Sequence, residues 1–186
     1  MEIYFKIWGL IGTHLIKGIF ISVLVIILAR KVLKKNIDFN KAISIIKWIL
    51  IFYAILNLAS FVVLVFSING YSFQEQATGP YNFAYWLMLL GSFSPLFLFF
   101  KKLGYNIYFI LLAAIFTNIG WLLESFVIHI ISFDRDYSGD VNGLALLLPF
   151  NHELVAIAEG FCLGCLAIII GILPFLKKQQ DRINAL

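Results

Sequence analysis

Five long apolar runs, separated by connections whose charge alternates, constrain this chain more than any other feature. They fall near residues 8 to 29, 43 to 67, 82 to 100, 106 to 131 and 152 to 176. Each reaches the ~20 largely apolar residues that a helix needs to cross the hydrocarbon of a bilayer. None shows the polar-apolar alternation of a barrel strand, which leaves helices as the backbone that satisfies its own hydrogen bonds there. Composition agrees: 62% of residues are hydrophobic and 13% charged, against about 45–50% and about 25% in soluble domains. Mean hydropathy is +0.96. The expected fold is an all-α integral membrane protein, one transmembrane helical domain over residues 1–186, built as a four-helix bundle plus one flanking helix.

The connections predict an orientation. Arg30, Lys31, Lys34, Lys35 and Lys41 follow the first run, Lys101 and Lys102 the third, and Lys177, Lys178 and Arg182 the fifth. The second and fourth connections hold Glu75, Asp134, Asp136 and Asp140 against Arg135. Lys and Arg accumulate on the cytoplasmic side, so the amino terminus is expected outside and the carboxyl terminus inside. The net charge of +4 comes from these clusters and fits contact with lipid headgroups, not nucleic acid. The first run is followed by a basic cluster instead of a small-residue cleavage site, which predicts a retained span.

Ionisable residues inside apolar runs mark candidate chemistry, because a charge at membrane depth is costly unless paired or hydrated. The candidates for a proton path or a buried ion pair are His14 and Lys17, then Glu124 and His129, then Glu159. On an α-helix His14 and Lys17 share a face, as do Thr117, Trp121 and Glu124. Lys17 paired with Glu124 or Glu159 is the simplest compensation. The same cluster is also compatible with a structural role that only fixes helix register. His152 and Glu153 read as cap or interface residues at the end of the last run.

Cys162 and Cys165 form C-L-G-C within an apolar run, where thiols act as small apolar side chains. Two cysteines complete neither a zinc site nor an iron–sulfur cluster. HExxH, phosphate-loop and GxSxG patterns are absent from the sequence, so no metal site is expected. Ala156, Gly160, Gly164, Ala167 and Gly171 recur at spacings of three and four. Such a ridge allows close approach of another helix.

Further motifs lie in GPYNFAYW at 79–86, Pro95, NIGWLLESFVI at 118–128 and RDY at 135–137. Together they resemble the NrfD/PsrC family of polysulfide-reductase-type membrane subunits, most closely the form in alternative complex III. The similarity covers only that family's carboxyl-terminal bundle with the helix before it. Its motif positions here are Gly79, Pro80, Tyr81, Trp86, Asn118, Gly120, Glu124, Arg135 and Asp136. Gln76, Leu96, Ser125 and Asp134 stand where the family pattern carries other polar residues.

The resemblance implies a small subunit in a bacterial cytoplasmic membrane, linked to quinol electron transfer or proton translocation. It would bind no cofactor directly and would meet quinone through a partner carrying an iron–sulfur cluster or haem. The alternative is a stand-alone transporter, sensor or assembly factor, in which the bundle is a scaffold. Its neighbours would be the lipid bilayer and either other membrane subunits or further copies of itself.

Overall fold

Phe39 to Phe66 contains neither glycine nor proline, and it folds as one unbroken helix. At 1.5 Å per residue such a helix spans about 40 Å, more than the hydrocarbon thickness of about 30 Å. The computed structural model describes residues 9–33, 39–66, 73–134 and 151–184, and these are helical or in turns, with no strand.

In chain order the main helices are α1 (Ile11–Val32), α2 (Phe39–Phe66), α3 (Asn82–Phe99), α4 (Ile107–Thr117), α5 (Ile119–Asp134) and α6 (Asn151–Asn184). Short helical segments at Phe73–Thr78 and Lys101–Gly104 flank α3. Four stretches are long and apolar enough to cross a membrane: α1, α2, α3 and Glu153–Ile172 within α6. The bent pair of α4 with Ile119–Val127 makes a fifth.

These helices are irregular at three places, each for a local reason. α1 opens with a π-turn over Ile11–Ile16, in which Lys17 N–H bonds the carbonyl of Gly12 at 3.2 Å. α3 tightens into a 3₁₀ segment from Ser94, where Pro95 supplies no N–H for an α-turn. Between α4 and α5 the axis of the span expected near 106–131 bends by 55° at Asn118. Thr117 Oγ1 donates to the Ala113 carbonyl at 2.8 Å and Asn118 Nδ2 to that of Ala114 at 2.9 Å. Asn118 N–H then falls back on Ile115 at 3.0 Å. Side chains that compete in this way for carbonyls one turn back bend helices.

α1 packs on α2, α4 and α6, α2 packs also on α3, α4 and α6, and α5 touches α3 and α4. α1 buries Ile16, Ile19, Ser22, Val23 and Ile26. Its contact with α6 is nearly backbone on backbone. A Cβ at Gly160 would run into the Gly18 carbonyl, and one at Gly164 would lie 3.0 Å from Val25 Cβ and 3.1 Å from Ser22 Cα. The closeness lets Ser22 Oγ donate to the Gly160 carbonyl at 2.7 Å. Ala156, Ala167 and Gly171 on the same helix are also buried. The outward faces carry Leu28, Phe52, Phe83, Phe97, Phe126 and Ile169, all exposed.

Candidate functional site

Two of the irregularities face each other across a polar cavity. The π-turn of α1 contributes Gly12, Thr13, Ile16 and Lys17, preceded by Gly9. The bend between α4 and α5 contributes Thr117, Asn118, Gly120 and Trp121, and the wall is completed by Tyr53 of α2 and Met88 of α3. The cavity holds about 350 Å³. Asn118 is buried and its Nδ2 donates to the carbonyls of Ile16 and Ala114, each at 2.9 Å, so one amide ties both irregular segments together. The ammonium of Lys17 lies 5.3 Å from the centre of the Trp121 ring, a cation–π contact worth about 0.5–2 kcal/mol according to how well water is excluded.

Beside the cavity, between α1 and α6, His14 Nδ1 lies 2.7 Å from Glu159 Oε1. A carboxylate only accepts, so Nδ1 carries the hydrogen in this contact. Oε2 of the same carboxyl is buried and makes no hydrogen bond among the described residues. The His14 side chain is 54% exposed and that of Glu159 31%.

This differs from the expected pairing of Lys17 with Glu124 or Glu159. Among the described residues the ion pair here is His14 with Glu159, and Lys17 has an aromatic face in place of a carboxylate. The π-turn is the cause. Its i→i+5 bonds widen the turn, so each residue advances less around the axis and residues three apart no longer align. His14 lies against α6, on the face of Gly18 and Ser22, and Lys17 against Trp121 of α5. The bend at Asn118 likewise divides the expected face: Thr117 and Trp121 line the cavity, whereas Glu124 is exposed outside it.

Of the other expected site residues, Gly120 and Asn118 line the cavity. Gly79, Pro80, Tyr81 and Trp86 lie instead around the start of α3, where Trp86 Nε1 donates to the Ala77 carbonyl at 3.2 Å. His129 is on α5, with its side chain outside the described part of the structure, as is that of His152 on α6. Arg135 and Asp136 lie outside the described residues. Cys162 and Cys165 are free thiols. Among the described residues no three His, Cys, Asp or Glu side chains converge on a metal position.

Sequence reasoning missed Thr13, Tyr53 and Met88, each a single polar or soft residue in an apolar run. It also missed Lys47, which is buried on α2 with Nζ 4.9 Å from the Tyr105 ring and 5.7 Å from that of Trp48. Lys47 lies inside the expected span over 43–67, six residues after Lys41 of the basic cluster. No family model, curated protein or solved structure matches the chain.

Proposed function

We propose that this chain is a five-span protein of a bacterial cytoplasmic membrane, amino terminus outside and carboxyl terminus inside. In this reading it serves a quinol-linked redox complex as a small subunit that handles protons and holds no cofactor of its own. The observation that carries the reading is the His14–Glu159 pair. With Oε1 on an imidazole at 2.7 Å and Oε2 buried and unbonded, the carboxyl can accept a proton on Oε2 while keeping its contact on Oε1. The half-exposed His14 links that carboxyl to the surface.

Glu124 supports a neighbouring subunit. It is exposed on α5 beside Leu123, Phe126 and Val127, and a carboxylate among lipid tails costs a few kcal/mol unless a cation meets it. The NrfD/PsrC resemblance supports the redox setting, and a quinone, iron–sulfur cluster or haem would then belong to partners.

One observation favours a stand-alone transporter, sensor or assembly factor. The small-residue ridge that could have docked a partner helix is covered by α1 of the same chain. Purification in mild detergent with optical spectra separates the two readings. Copurifying haem or iron–sulfur absorbance is the expected result, and a solitary homo-oligomer selects the alternative. In the intact complex, Glu159→Gln should preserve assembly and cut proton-coupled turnover by roughly tenfold or more. Unchanged turnover overturns the proton role.

A further inference from the structure

We infer that the cavity between the π-turn and the Asn118 bend is a binding site for a small organic carboxylate with a flat apolar body. The charge balance points to an anion. Among the described residues, Lys17 is the one with a full positive charge in the lining, and no Asp or Glu lines it. On the neighbouring helices Glu159 contacts His14, and Glu124 is exposed outside the cavity. The Trp121 face offsets only part of the cost of holding an ammonium at membrane depth, so an anion supplied from outside completes the site.

The rest of the wall selects the kind of anion. One ammonium without an arginine suits a single negative charge, since a dianion would leave half its charge unpaired in a low dielectric. The Thr13 and Tyr53 hydroxyls add polar contacts beside it. Trp121, Met88 and Ile16 supply apolar surface for a planar body. The volume of about 350 Å³ falls at the lower end of the ~300–1,000 Å³ range of small-molecule sites.

The backbone is also shaped for occupancy. A Cβ at Gly120 would come 2.8 Å from Met88 Sδ, whereas one at Gly9 would meet nothing within 4 Å. Among the described residues the cavity therefore remains open on the Gly9 side. Irregular backbone at membrane depth persists where it is buried or lines a cavity, and π-turns recur at functional sites. This inference rests on the membrane-spanning reading above but not on the redox partner, and it is tested on the purified chain alone.

Trp121 is the natural reporter. With Trp8, Trp48 and Trp86 replaced by Phe, bromine on a bound acid quenches the remaining fluorescence. Titration with 4-bromobenzoate in detergent should give saturable quenching, and the neutral 4-bromobenzamide should bind roughly tenfold more weakly or worse. Lys17→Met should lose as much, and Lys17→Arg should restore part of it. Gly9→Leu meets no other described residue, so it should keep thermal stability while blocking the probe, which keeps the test decisive if Lys17→Met fails to fold. A 12-bromododecanoate arm distinguishes a lipid-derived acid from a compact one: Lys17-dependent quenching by either acid supports the site, and the tighter probe names the source. Equal quenching by the benzamide, or titrations unchanged by both Lys17→Met and Gly9→Leu, overturns it.

Discussion

Asn118 Nδ2 donates to the main-chain carbonyl of Ile16 at 2.9 Å, across 102 residues of sequence. The contact joins the bend between α4 and α5 to the end of the π-turn in α1, and it closes one wall of the polar cavity. A single buried amide thus sets the relative position of Lys17 and Trp121, which reach the cavity from opposite sides of that bond.

Asn118→Leu removes both donated hydrogen bonds and leaves the Ile16 and Ala114 carbonyls without that donor. An unsatisfied buried acceptor costs about 1–3 kcal/mol, so the variant should melt clearly below the wild type in detergent. Thr117→Val removes only a bond within its own helix and should change the melting temperature far less. Equal melting of Asn118→Leu and wild type would mean that the α1–α4 contact does not depend on this amide.

Gly160→Ala tests the α1–α6 approach. The added methyl meets the backbone of Gly18, which cannot yield as a side-chain tip can. Overpacking of this kind costs on the order of 1–3 kcal/mol. Leu166→Ala, at an exposed position of the same helix, should stay within about 0.5 kcal/mol. Thermal unfolding of the two variants side by side checks the contrast, and equal losses would contradict it.

Much of the fold is legible in the sequence because hydropathy over twenty residues depends on composition, which does not need partners to be known. The ends of α1, α2 and α3 fall within a few residues of the apolar runs for that reason. Face assignments are less secure, since they assume a constant rotation per residue. Nothing in IGTHLI announces a π-turn, and a π-turn rotates Lys17 further from His14 than an α-turn would. Asn118 drew attention only through the family resemblance. Its effect on the helix follows from hydrogen bonds to Ile16 and Ala114 that no local pattern encodes. Lys47 is buried with its ammonium near the rings of Tyr105 and Trp48, contacts that its place in the sequence does not announce.

The orientation is tested by single-cysteine labelling after Cys162 and Cys165 are replaced. Glu75→Cys and Asp140→Cys should react from outside with an impermeant maleimide, and Lys34→Cys and Lys178→Cys only after permeabilisation. The expectation rests on the excess of Lys and Arg in alternate connections. Reversal at two or more of the four positions would invert the topology.

The pairing of His14 with Glu159 is open to a double-mutant cycle, because residues that touch couple and residues that do not are additive within about 0.3–0.5 kcal/mol. His14→Ala and Glu159→Gln should each lower the melting temperature, and the double variant should fall by less than the sum, leaving a coupling on the order of 1 kcal/mol. The companion cycle of Lys17→Met with Glu159→Gln should be additive, since the π-turn sends Lys17 to Trp121 and not to Glu159. Each cycle is read by thermal unfolding in the same detergent. Coupling that appears with Lys17 and vanishes with His14 would restore the helical-face pairing and show that the π-turn does not govern these side chains.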